Sequence, residues 1–519
     1  MRYATMSIWL KAAIVLASAI CFDLLFWERS PGLNVPLFLL PVGMLLMAMH
    51  GPPPRPHVWI AWIGMVISAL MVWVHNSGIA VFSAIISGMV AGALMHSPRI
   101  RSVVYALAQF LSDLLAAPLK AWDSLGGLLR IPGGRSSTWR WARHALIPLV
   151  LVFIFIQLYR GGNERFDALS ASIFGSFWSW IAALLEDFFT ARTLFFLFAL
   201  CLCGALLFRL VSHSVSQAEG QWSDALLRRK QRRPHWSPAL SMDPLERERR
   251  KGILLLAMVN LVLAVVNIID ISWIWFGFEV EEGMSLKAFV HEGTYMLIIS
   301  ILLSMLILLY LFRGNQNFYW RSGILRTLAV VWVAQNFILG TSVFLRNYHY
   351  ISFHGLAYKR IGVIVFLVLV LIGLITLFLK IRDRRSFFYL LRVNSWAAFT
   401  VMVALTLVDM DRLIVRYNLA HENQGEVDID NYLALSDRVL PLLYGDLEKV
   451  EQQMRRHSMN RVRWVEHLEP ERFREVLDRR SKWFMEEYGK MHPLERSLAL
   501  DRTYKELERL LREVPQAEK

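Results

Sequence analysis

Eleven stretches of mostly apolar residues fill the first four-fifths of this 519-residue chain. Each approaches the roughly 20 residues that a helix needs to cross a hydrocarbon layer about 30 Å thick. They run Ile8 to Trp27, Leu33 to Met49, Val58 to Val74, Ile79 to Met95, His144 to Leu158, Leu194 to Leu210, Gly252 to Phe276, Thr294 to Phe312, Leu325 to Leu345, Ile361 to Leu379 and Trp396 to Val415. The fifth is short and reaches across only with Trp141 and Tyr159 as interfacial anchors. The fold class that follows is all-α: a polytopic transmembrane helical bundle of about 11 spans with a small C-terminal soluble helical domain. Lys11 and Asp23 interrupt the first run and no small-residue cleavage site follows it, so it reads as a retained helix rather than a secretory signal.

A net charge of +14 would suit nucleic acid, but its distribution argues for a membrane. Up to Val415 there are 37 Lys+Arg against 21 Asp+Glu, and from Arg416 onward 19 against 21. The basic excess therefore belongs to the apolar part, where cationic loops set orientation and attract anionic lipid headgroups; no nucleic-acid partner is expected. Cys21, Cys201 and Cys203 all lie in proposed spans and read as small packing residues, not as a disulfide framework or a zinc site.

Two loops fix the orientation. One carries Arg99, Arg101, Lys120, Arg130, Arg135, Arg140 and Arg143; the other carries Arg228, Arg229, Lys230, Arg232, Arg233 and then Arg247, Arg249, Arg250 and Lys251. Both belong in the cytoplasm by the positive-inside rule, which puts the N-terminus inside and Glu279, Glu281 and Glu282 outside. Arg346, Lys359 and Arg360 break the rule by falling outside. With eleven spans the C-terminal domain is outside as well.

Two amphipathic segments, Val103 to Leu129 and Phe166 to Phe189, read either as helices in the interface plane or as lids on the bundle. In the tail, Leu433, Leu440, Leu443, Leu447 and Val450 predict one soluble amphipathic helix, followed by helices near Pro470 to Tyr488 and Pro493 to Glu513. The expected division is 1–251, with interfacial helices and a basic linker; 252–415, a second membrane region; and 416–519, the helical tail.

Ionisable groups inside lipid are expensive and are default candidates for function. Asn260, Asn267 and Asp270 share one helix face by their spacing, and suit either a proton or cation path or interhelical packing. Asp409 and Asp411 are either a carboxylate pair or a solvated helix end partnered by Arg412. Arg346, Tyr348, Tyr350, His354 and Arg360 place cations around aromatics, a composition for an anionic headgroup or carboxylate, or else for an aromatic belt with snorkelling bases. His291-Glu292 lacks the second His of a zinc-protease motif, since position 295 is Tyr295. No phosphate-cradling glycine loop and no nucleophile-elbow pentapeptide occurs, so no catalytic residue, metal or cofactor is assigned.

The run Gln335-Asn336-Phe337-Ile338-Leu339 through Ser342-Val343, Arg346-Asn347, Tyr350-Ile351, Gly355-Leu356 and Lys359-Arg360-Ile361-Gly362-Val363 resembles a bacterial membrane family, as do Asp411 to Asn418, Asp428 to Leu435 and Phe289 to Gly293. The family is the domain of unknown function DUF4173, related to DUF4153, and the resemblance spans roughly 252–443. It implies a multi-pass protein of a bacterial inner membrane and transfers no mechanism. The functional expectation is a protein that binds or moves a small anionic or amphipathic ligand, or an envelope or signalling accessory. The alternatives are an enzyme acting on a lipid-linked substrate and a scaffold with a protein partner at the C-terminal helices.

Overall fold

The computed structural model describes residues 6–53, 55–128, 190–211, 214–228, 244–276, 286–421, 429–458 and 469–513, with scattered positions between 152 and 169. Most of the predicted span His144 to Leu158, the loop holding Glu279, Glu281 and Glu282, and most of Phe166 to Phe189 lie outside the described residues. Among the described residues the regular structure is helical, with one isolated antiparallel bridge between Ala225 and Arg385.

The membrane helices are α1 (Ile8–Phe26), α2 (Asn34–His50), α3 (Pro56–His75), α4 (Gly78–His96), α5 (Val103–Leu128), α6 (Ala191–Leu207), α8 (Pro244–Asp270), α9 (Leu286–Leu311), α10 (Gly323–His354), α11 (Tyr358–Asp383) and α12 (Phe387–Leu405); α7 (Ser214–Gly220) is a short connector. Nine of the described helices are long and apolar enough to cross a membrane; α2 and α6 are shorter apolar helices. One of these nine is Val103–Lys120 within α5, from the amphipathic segment expected either in the interface plane or as a lid on the bundle. It packs along α4 and α6, with Gln109 and Asp113 fully buried.

Helix starts follow capping chemistry. Ser7, Ser77, Thr190, Ser386 and Asp409 each accept a first-turn N–H, and Pro56 and Pro470 stand where a missing N–H costs nothing. In α4 the buried face is small: Ala80, Ser83, Ala84, Ser87, Gly88, Ala91, Gly92 and Ala93. Such faces let helices approach closely in lipid, where apolar burial alone does not drive association. A Cβ on Gly92 would sit 3.0 Å from the Leu206 carbonyl oxygen.

α8 reverses the amphipathicity of a soluble helix. Leu256, Asn260, Leu263, Asn267 and Asp270 are buried, whereas Leu254, Met258, Leu261, Val262, Val265, Ile268 and Ile269 are exposed, as lipid requires. A single π-turn, Ile271–Trp275, continues it.

The buried apolar residues form separate clusters: one among α1 to α6 that also takes Phe399 and Val403 of α12, one among α8 to α12, and one in the tail. The tail comprises α13 (Met410–Ala420), α14 (Leu440–Gly445), α15 (Leu447–Ser458), α16 (Pro470–Lys490) and α17 (Leu498–Glu513). Two expectations change here. The last apolar run stops at Leu405, and Asp409 caps a new helix, so Asp409 and Asp411 belong to the start of α13 rather than to a span. The predicted helix over Leu433 to Val450 is broken into two 3-10 turns, α14 and α15, because Pro441 has no N–H to give and sits at the start of α14.

The tail rests on the ends of the bundle remote from Arg99 and Arg101. Leu33 donates its N–H to the Arg496 carbonyl, Ser30 donates to Glu495, and Arg438 donates to the His75 carbonyl. Among the described residues, Arg99 and Arg101 therefore stand at one end of the bundle and the tail at the other.

Candidate functional site

The sequence-predicted residues separate into two groups at the tail end of the bundle. The first is a polar seam between α8 and α10. Asn260 donates to the Leu328 carbonyl at 3.1 Å and accepts from Gln335 at 3.0 Å; Asn267 donates to the Gln335 carbonyl at 3.0 Å. At its end Arg346 Nη2 donates to Asp270 Oδ1 at 2.6 Å, both residues buried. Trp275 and His349 close the π-turn onto α10 by reaching Ser342 Oγ and the Ile274 carbonyl. The second oxygen of Asp270 has no hydrogen-bond partner among the described residues.

The second group closes α10. Gly355 takes φ +77°, a conformation glycine adopts without strain, and ends the helix. Arg360 donates to the carbonyls of His354 and Gly355 and lies 4.5 Å over the Tyr350 ring, which packs on His354 at 4.7 Å. Asn418 from α13 clamps Leu356 with two hydrogen bonds, accepting its N–H at 2.5 Å and donating to its carbonyl at 3.0 Å. Tyr348 is exposed. Arg346 and Arg360, expected to hold one anion between them, therefore face different partners: a carboxylate of α8 and the carbonyl end of α10.

Arg438 was not anticipated. It is buried and meets Asp411 at 2.6 Å, Asp409 at 3.1 Å, the His75 carbonyl at 2.7 Å and Ser436 Oγ at 2.9 Å. Tyr358 donates to the other oxygen of Asp411 at 2.5 Å. Arg412, the expected partner of this pair, turns instead to Glu506 at 3.0 Å. Through the His75 carbonyl of α3 and Tyr358 of α11 this cluster rivets the tail to the bundle.

At the opposite end, residues scattered through the sequence converge on a pocket of about 690 Å³ lined by Arg55, His57, Arg99, Arg101, Arg392 and Trp396. α3 supplies its first turn, the α4–α5 connection supplies Arg99 and Arg101, and α12 supplies Arg392 and Trp396. Arg392 engages Asp224 through two hydrogen bonds of 3.2 and 3.0 Å. Arg55 reaches the Pro98 carbonyl; Arg101 reaches the Trp222 carbonyl at 2.6 Å and lies 4.6 Å over the Phe388 ring. Buried Glu219 spends its carboxylate on the backbone N–H groups of Arg101 and Ser102. Among the described residues Arg55, Arg99 and Arg101 form no ion pair. Trp396 and His57 hold the floor by bonding the Arg101 and Ile100 carbonyls. Sequence reasoning counted Arg99 and Arg101 only as orientation signals and did not single out Arg55 or Arg392, since no local motif joins positions 55, 99, 101 and 392.

No curated protein and no solved structure matches this chain. A family model does: Domain of unknown function (DUF4153), over residues 57–444. The match begins in α3 and ends in α14, so it starts well before the 252 at which the resemblance begins. It points to DUF4153 rather than to the related DUF4173. It takes in the α8–α10 seam, the Arg438 rivet and all of the basic pocket except Arg55. With most of its length matched, this chain belongs to the DUF4153 family.

Proposed function

We propose that this integral membrane protein binds an anionic amphipathic ligand, a phosphate-bearing one, in the basic pocket at the end of the bundle that the positive-inside count assigns to the cytoplasm. One observation carries the reading: Arg55, Arg99 and Arg101 line a ligand-sized space and, among the described residues, none of the three forms an ion pair. A basic pocket between membrane helices on that side is the usual chemistry for phosphate headgroups, and planar guanidiniums engage phosphate bidentately. Exposed Ile60 of α3 lines it and suits an acyl chain. The same anion chemistry expected of Arg346 and Arg360 is here assigned to other arginines.

The test uses the full chain in phosphatidylcholine nanodiscs, with dioleoyl phosphatidic acid and inorganic phosphate as probes. Phosphatidic acid should be retained over phosphatidylcholine. The double variant Arg55→Gln/Arg99→Gln should weaken retention roughly 30-fold, at about 1 kcal/mol per basic residue. Displacement by millimolar inorganic phosphate would identify a soluble phosphate as the ligand. Equal retention of both lipids with no effect of phosphate would refute the site.

A further inference from the structure

Two of the arginines that line the basic pocket also hold one short segment of chain. Beyond α7, residues 221–227 leave the helix and cross to the connection between α11 and α12. Arg101 Nη2 donates to the Trp222 carbonyl at 2.6 Å, and Arg392 grips the Asp224 carboxylate through Nε and Nη2 at 3.2 and 3.0 Å. Farther along, the isolated bridge between Ala225 and Arg385 completes the attachment. In it Leu226 donates its N–H to the Arg384 carbonyl and Ser386 donates its own to the Asp224 carbonyl, both at 2.9 Å. The segment is therefore a strap, and its other side forms one wall of a second cavity of about 860 Å³ among Leu245 of α8, Leu311 of α9, and Phe387 and Phe388 of α12.

The strap is held lightly. The Asp224 and Arg392 side chains are 31% and 29% exposed, and ion pairs that water can reach contribute little to stability. A single bridge lacks the support of a sheet ladder, and segments with few buried contacts open locally at low cost. The carboxylate on Arg392 is also replaceable in kind. A guanidinium engages phosphate in the same bidentate way as carboxylate, and phosphate brings a third acceptor oxygen.

Resting on the reading of the basic pocket as an anion site, we infer that the strap is a clasp released by the ligand. A phosphate group entering the pocket takes Arg392 from Asp224 and Arg101 from the Trp222 carbonyl, and the freed strap opens the wall of the second cavity. Asp224 is then an internal competitor of the ligand. Competition of this kind is reciprocal: the ligand loosens the strap, and loss of the strap's carboxylate tightens the ligand.

The experiment measures amide hydrogen exchange on the full chain in phosphatidylcholine nanodiscs, with dioleoyl phosphatidic acid or millimolar inorganic phosphate as the probe. Whichever probe is retained should speed exchange at the Leu226 and Ser386 amides severalfold and leave the amides of α4 unchanged. Asp224→Ala should exchange fast at both amides with or without the probe, and should retain it roughly fivefold more tightly. Arg392→Gln should loosen the strap equally and gain no affinity, since it removes a ligand contact as well. A probe retained by the wild type without faster exchange at these amides, or retained no more tightly by Asp224→Ala, would overturn the clasp and leave the anion site standing. A wild type that retains neither probe would remove the anion site and the clasp together.

Discussion

Arg346 and Asp270 lie 76 residues apart in sequence and 2.6 Å apart in space, a buried ion pair between α10 and the end of α8. Removing one member leaves a charge in lipid or protein without its counter-charge, at a cost of about 3–5 kcal/mol, whereas removing both spares that penalty. Arg346→Met and Asp270→Asn should each lower the unfolding midpoint strongly. The double variant Arg346→Met/Asp270→Asn should recover most of the loss. A double variant as unstable as the sum of the singles would mean that the two residues act independently.

Arg438→Met should undock the tail without unfolding the bundle, since it strips Asp409 and Asp411 of their buried counter-charge. The expected readout is proteolytic cleavage near residues 406–409, between α12 and α13, with the membrane part left intact. Arg438→Lys should fall between wild type and Met, because an ammonium cannot serve four acceptors in the geometry of a planar fork.

Gly355→Ala meets two obstacles at once: φ of +77°, and Asn418 Oδ1 2.6 Å from the new Cβ. A loss of about 1–3 kcal/mol is expected from backbone strain alone. Adding Asn418→Ala relieves the clash but removes the Leu356 clamp, so the double variant should lose less than the two singles summed, measured by thermal unfolding.

The tail should weaken in strong alkali. Burial, followed by the hydrogen bond to Asp501 at 2.5 Å, pushes the Tyr488 phenol up to about 12. In the unfolded chain the phenol loses its proton near the ordinary value of about 10, so between these values the folded state holds the proton and the unfolded state does not. The contribution is complete below pH 10 and is lost as pH rises toward 12. Tyr488→Phe should flatten the slope of stability against pH across that window; an unchanged slope would exclude Tyr488 as its source.

The helical membrane architecture was legible because each apolar run carries its own evidence, and the inward stripe of α8 was legible from the spacing of Asn260, Asn267 and Asp270. Their partners were not, because Gln335 and Arg346 arrive on another helix. One signal was available: Arg346 and Arg360 sat on the wrong side for the positive-inside rule, and a cation held there needs local compensation, which Asp270 and the α10 carbonyls provide. Pro441 in the supposed tail helix was likewise readable in advance. The basic pocket was not. Arg55, Arg99, Arg101 and Arg392 are brought together by the packing of α3, α4, α5 and α12, and helix packing in lipid is decided by small-residue faces that a single sequence does not pair.

The inward polar stripe of α8 also sets an order of events during synthesis. Asn260, Asn267 and Asp270 leave the ribosome well ahead of the residues that satisfy them, Asp270 preceding Arg346 by 76 residues. At about 5–20 residues per second that interval is on the order of 4–15 s. Through it α8 must reside in the lipid, or beside an insertion factor, with the Asn267 amide and the Asp270 carboxyl unmet, while the Asn260 amide can bond the Leu256 carbonyl of its own helix. Its exposed Leu, Ile, Val and Met face is what keeps the helix in the bilayer while it waits for α10.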